Sequence, residues 1–268
     1  MLSQTYCDPS LFCGILVIDG KYVKVKGHKQ KIPFIYGIDY LTHDIPVGFL
    51  ALSESTDTFK KFFRLLKEMN YPLRVVICDD TYPIKLGLKE FYPNIGVQMC
   101  HTHYLENIRQ KLHIRTEEEH QHFFNSLCKH IFEGHRLNEQ FNKYFRYHIL
   151  NNRTNKHPLR TKIILDIFAR QKELFTYTSI DDCPKDTNLI ELYNSHLQAR
   201  LSSVKGFQTF ESAQRWLNAY LIRRRTKPFT DCSTKFKHLN GKCSLEMTLK
   251  KEAHWPNFIS QKAPKMKR

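Results

Sequence analysis

Two short apolar runs in this chain each stop at an aspartate. Ile15-Leu-Val-Ile runs into Asp19, and Val75-Val-Ile-Cys runs into Asp79. Runs of this kind predict strands buried on both faces. An ionised carboxylate at the end of such a strand is costly unless it is solvated, paired or bound to a cation. A single acid so placed is equally well explained as a turn former. Two of them point to a shared cation site with oxygen ligands.

The surrounding pattern orders the elements. Tyr22-Val-Lys-Val-Lys26 alternates as a half-exposed strand does, and residues 32–40 and 45–52 are strand-like, separated by the turn-forming Thr42-His-Asp44. Ser53-Glu-Ser-Thr-Asp57 is rich in N-cap residues, and Phe59, Phe62, Phe63 and Leu66 then share one helical face before Asn70-Tyr-Pro72. Residues 73–78 predict a fourth strand, 84–91 a second helix and 95–99 a fifth strand. Residues 103–176 read as helical with scattered aromatics (His122-Phe-Phe124, Phe141, Tyr144, Phe145, Tyr147), with a polar loop at 151–157 and helix again over 161–175. Residues 188–204 form a helix with Ile190, Tyr193, Leu197 and Leu201 about one turn apart. Thr209 caps another that carries Phe210, Ala213, Leu217 and Tyr220 and ends in Arg223-Arg-Arg225.

Three meandering strands, a helix, a strand, a helix and a strand is the order of the RNase H-like fold. The expectation is therefore an α/β protein: a mixed five-stranded sheet with flanking helices and a large all-helical insertion. Strands one and four are neighbours in that fold, so Asp19 and Asp79 would meet, and a carboxylate from a later helix would complete a site for two Mg²⁺ ions. Glu191 is the best third acid, although helical spacing alone favours reading it as an ordinary solvated helix charge. The expected organisation is residues 1–103 as the first part of the catalytic domain, 104–180 as the insertion, 181–228 as the helices completing the domain and 229–268 as a basic tail.

Charge narrows the partner. Lys plus Arg number 42 against 26 Asp plus Glu, a net +16, and the stretch from Arg200 to Arg268 carries 16 basic and 4 acidic residues. Such a field attracts polyanions, nucleic acid first. The N-terminus lacks the basic and apolar regions of a secretory signal, and nowhere do about 18 apolar residues run together, so the chain reads as intracellular with no membrane partner. Its eight cysteines are then expected to be thiols or metal ligands, and none forms a C-x-x-C pair.

Asp19-Gly20, Val76-Ile-Cys-Asp-Asp80, Gln98-Met-Cys-His-Thr-His103 and Thr187-Asn-Leu-Ile-Glu191 together resemble the DDE transposases of the Mutator-like and bacterial insertion-sequence group. The resemblance spans residues 15–225. It implies Asp19, Asp79 and Glu191 as a triad binding two Mg²⁺ (or Mn²⁺) ions, Cys100 and His103 as the C-x-x-H element, and a helical insertion before the glutamate. It also implies Mg²⁺-dependent cleavage and strand transfer on double-stranded DNA, at transposon ends and target, by a homodimer or higher assembly. The cell compartment is cytoplasm or nucleoid in a bacterium and nucleus in a eukaryote. Asp80 stands where the group usually has Gly, and the strand end favours Asp79 over Asp80 as the ligand. The chain opens close to the first catalytic strand, without the helical DNA-recognition region such transposases usually carry. An inactive DNA-binding relic and a nuclease of the same fold are therefore the rival readings.

Arg200, Lys205, Arg215, Arg223, Arg224, Arg225 and Lys227 make an expected DNA-facing surface. Among the interleaved aromatics, Trp216 and Phe210 are expected to pack inside. Zinc on Cys100, His101 and His103 with Cys128, His130 and His135 matches no common closed site by spacing.

Overall fold

The computed structural model describes residues 2–133, 142–143, 146–147 and 157–253. The regular elements are α1 (Leu2–Tyr6), β1 (Ile15–Val23), β2 (Ile32–Asp39), β3 (Gly48–Leu50), α2 (Thr56–Glu68), β4 (Val75–Cys78), α3 (Tyr82–Phe91), β5 (Gly96–Met99), α4 (His101–Lys111), α5 (Gln121–Leu127), α6 (Pro158–Ala169), α7 (Gln171–Leu174), α8 (Asn188–Leu201) and α9 (Phe210–Thr226). Short 3₁₀ turns and a π-helical turn at Cys128–Phe132 link them. The five strands form a mixed sheet in the order β3-β2-β1-β4-β5. No helix among the described residues is long and apolar enough to cross a membrane.

The chain divides into two compact units, Met1–Val76 with Thr81–Ile95 and Asn188–Arg268, and Ile77–Asp80 with Gly96–Thr187. In the first, β1 pairs antiparallel with β2, placing Asp19 opposite Tyr36, and β2 pairs antiparallel with β3. Every residue of β2 is buried, as a strand covered on both faces requires. Ser55 caps α2 by accepting from the Thr58 N–H at 3.3 Å, and Phe59, Phe62, Phe63 and Leu66 are buried on one stripe, each contributing about 1.5–3 kcal/mol. Helix α3 crosses α2 at Gly87, where an added Cβ would lie 2.8 Å from the Phe59 backbone.

Three expectations are revised. The first strand is one nine-residue element, so Asp19 ends its buried stretch rather than the strand itself. The third strand, expected over 45–52, shrinks to Gly48–Leu50 because Pro46 has no N–H for the ladder. After Pro228 the described chain is turned and partly buried: Phe229, Leu239 and Leu245 are core residues, and Leu249 bridges to Cys7.

In the second unit, all regular elements described after β5 are helical. Met99, Ile108, Leu112, Phe124, Leu127, Ile131, Ile163 and Ile167 belong to one buried apolar cluster. Gln98, fully buried, is satisfied there by donating to the Met99 and Leu174 carbonyls and accepting from the Tyr177 N–H. Phe123 and Phe124 are core, whereas Phe141, Tyr144 and Phe145 lie outside the described residues.

Candidate active site

In the first unit, Asp19 is half-buried and held at both oxygens. Its Oδ1 accepts from the Gly20 N–H at 2.7 Å, and its Oδ2 accepts from Asn194 Nδ2 at 2.6 Å. Asn194 Oδ1 accepts in turn from the Tyr36 hydroxyl at 2.7 Å. Burial, then the nearby Asp19 charge, raises the Tyr36 phenol well above its ordinary value, so it stays a donor. Glu191 lies in the first turn of α8, three residues before Asn194. That spacing puts both on one helical face, so the helix bearing Glu191 is the one that grips Asp19. Glu54 is a further acid here: its Oε1 fills the space that any side chain at Gly20 would need. Burial and Glu54 together push the Tyr22 phenol up to about 12.

In the second unit, Asp79 follows β4 directly. Its Oδ1 lies 2.6 Å from His103 Nδ1, and that nitrogen lies 3.3 Å from Cys100 Sγ. Thr187 donates to the same sulfur from its N–H at 3.4 Å and its hydroxyl at 3.2 Å. Burial pushes the Cys100 thiol up, and the Thr187 hydrogen bonds oppose that. Donor atoms of Asp79, Cys100 and His103 all fall within 4.8 Å of one another. Asp80, its neighbour, pairs with Arg170, which also holds Asp166 at 3.0 Å. Asp166 accepts from the Tyr104 hydroxyl at 2.6 Å. Asp80 is thus engaged by Arg170 at the surface and Asp79 by the C-x-x-H element.

Among the described residues, the wider zinc grouping does not assemble. His101 is buried among Phe132, Phe175 and Tyr177 with its Nε2 2.6 Å from the Leu174 carbonyl, and His135 lies outside the described residues. All eight cysteines are free thiols.

Of the basic residues expected to face DNA, Arg200, Lys205, Arg215, Arg223 and Lys227 are exposed. Arg225 is not: it is 4% exposed and makes paired 2.7 Å bonds from Nε and Nη2 to the two oxygens of buried Asp44. Burial alone would raise the Asp44 carboxyl, but Arg225 and Thr248 outweigh it and hold it below the ordinary value. Arg225 Nη1 also donates to Ser3, and Ser244 and Thr248 donate to Asp44. Arg224 lies over the rings of Tyr193 and Phe229, 4.3 and 5.4 Å from their centroids. Phe210 and Trp216 are only half-buried, contrary to expectation. Trp216 stacks on Tyr220 at 5.9 Å and packs against buried Phe207 at 5.6 Å.

Asn194, Tyr36 and Glu54 were not singled out from the sequence, and Thr187 entered only as the first residue of the segment ending at Glu191. Asn194 alone carried a usable signal, its place one turn beyond Glu191.

Residues 11–227 match the family described as Transposase, Mutator family. The chain is 26% identical over 184 residues to the transposase for insertion sequence element IS256 in transposon Tn4001 of Staphylococcus aureus, covering 66% of this chain and 45% of that protein. The same figures hold for the protein of that name from Enterococcus faecalis (strain ATCC 700802 / V583). The chain thus spans about half the length of these curated relatives. With four-fifths of its sequence matched, the chain belongs to the Mutator family of transposases.

Proposed function

We propose that this chain carries the catalytic part of a DNA transposase of RNase H-like fold, in which Asp19, Asp79 and Glu191 supply the carboxylates for Mg²⁺-dependent cleavage and strand transfer at transposon ends. The observation that carries this reading is the clamp on Asp19 by Asn194, one helical turn from Glu191, in a chain of the Mutator family. The strand order, with β1 beside β4, supports the fold. All three carboxylates are half-buried, reachable from solvent and made of hard oxygen donors, which fits Mg²⁺.

Bound there, a pair of such ions supplies Lewis acidity and an activated water or 3′-hydroxyl for in-line displacement at phosphorus. The chain's own contribution is orientation. Gly20 and Asn194 fix the Asp19 carboxylate, His103 fixes that of Asp79, and Arg170 withdraws Asp80, which favours Asp79 as the acting acid. Arg200, Lys205, Arg215, Arg223 and Lys227 hold backbone phosphates of double-stranded DNA, at transposon ends and target. The domain organisation expected from the sequence and a homodimeric or larger assembly belong to the same proposal.

The test is a labelled transposon-end duplex incubated with the full chain and Mg²⁺ or Mn²⁺. Joined products are expected, falling to background in Asp19→Asn and Glu191→Gln. Joining that persists in both variants overturns the assignment. Nicking without joining makes the chain a nuclease, and binding with no metal-dependent product makes it a DNA-binding relic.

A further inference from the structure

The donor set at Asp79, Cys100 and His103 is not the set that Mg²⁺ selects. It offers one oxygen, one sulfur and one imidazole nitrogen, all within 4.8 Å of one another. We propose that these three side chains bind a single thiophilic divalent cation, zinc foremost, in an open three-ligand site to which Asp79 gives one carboxylate oxygen, keeping the other for the Mg²⁺ pair of the proposed function.

The backbone delivers the ligands on a fixed frame. Cys100 directly follows β5 and stands at the start of α4, and its N–H bonds the Cys78 carbonyl at 2.9 Å, one residue before Asp79. His103 lies three residues on, on the same face of that helix turn. Strand end and helix start are thereby pinned to each other, as a preorganised site requires.

The sulfur's surroundings point the same way. Cys100 is fully buried, yet its Sγ receives two donors from Thr187, the N–H and the hydroxyl. A metal-bound thiolate is stabilised by such donors, and outer-shell donors of this kind tune bound ligands. The side chains of Asp79 and His103 are 37% and 42% exposed, which provides the entry path. The Asp79–His103 contact of 2.6 Å is a hydrogen bond. With an ion bound, bonds of about 2.0 Å at tetrahedral angles put those two atoms roughly 3.3 Å apart, a shift that side-chain rotation supplies. The ion displaces the Cys100 thiol proton to solvent, and the imidazole proton resides on Nε2, leaving Nδ1 to ligate. One proton is released per ion bound.

The site is read by metal binding, without reference to catalysis. The full chain, reduced and metal-free, is titrated with Co²⁺. One equivalent is expected to produce a near-ultraviolet thiolate-to-cobalt charge-transfer band, which equimolar Zn²⁺ abolishes. Cys100→Ser removes the band, His103→Gln and Thr187→Val weaken cobalt affinity by about tenfold or more, and Cys128→Ser leaves it unchanged. If Cys100→Ser loses its helical circular dichroism, the half-exposed His103→Gln decides. No band at stoichiometric cobalt, or cobalt affinity unaltered in His103→Gln, overturns the proposal.

Discussion

Asn194 reaches Asp19 and Tyr36 through one amide, so its replacement disturbs a carboxylate without removing it. Asn194→Leu leaves the Tyr36 hydroxyl buried without its acceptor, at a cost of about 1–3 kcal/mol. The urea midpoint should fall accordingly, and joined product should drop while duplex binding holds. His43 offers a second measurement. It sits at φ 57°, 6% exposed, against Phe229 and Phe236. Burial, reinforced by Arg224 and His238, lowers its value from 6.5 to about 4. Between those two pH values the unfolded chain takes up a proton that the folded chain refuses. The stability held above pH 6.5 is therefore progressively lost on acidification to pH 4, by about 3 kcal/mol. His43→Asn, which tolerates the backbone, should flatten that slope in urea unfolding series. At this scale the sequence made Asp19 and Asp79 stand out, because an aspartate after an apolar run is conspicuous. It hid their partners: Asn194 lies 175 residues from Asp19, and its place one turn beyond Glu191 does not say which distant carboxylate it bonds.

Among elements, α2 was legible because four apolar side chains at helical spacing and a serine cap encode it locally. Helix α9 was legible in extent but not in orientation. Arg223, Arg224 and Arg225 look alike in a basic run, and only tertiary placement opposite Asp44 separates the exposed first from the buried third. Arg225→Ala strands a buried carboxylate and should cost about 3–5 kcal/mol, read from thermal or urea unfolding. Arg223→Ala should leave stability within about 0.5 kcal/mol yet weaken duplex binding and lower the salt slope by about one. Where α2 and α3 cross, Gly87→Ala drives a methyl into the Phe59 backbone and should destabilise by about 1–3 kcal/mol. Periodicity alone gave no hint of that crossing.

For the molecule as a whole, the excess of positive charge near the C-terminus was plain from composition, but its division between solvent and core was not. The stretch beyond Pro228 reads as an irregular basic extension, yet Phe229, Leu239 and Leu245 are core residues, and Ser244 and Thr248 donate to Asp44. Removal of residues 229–268 should therefore lower the melting temperature of the chain, followed by circular dichroism, rather than merely weaken its hold on DNA.

The hub at Asp44 also sets a schedule. Ser3 and Cys7 are made long before Thr248, yet all belong to the polar knot around one buried acid and its arginine. On the ribosome, Asp44 emerges long before Arg225 and Thr248 are translated, so the nascent first unit holds an unneutralised charge until those residues are made. The knot closes only once Thr248 is made, and a premature stop codon before position 244 leaves a product exposed to proteolysis.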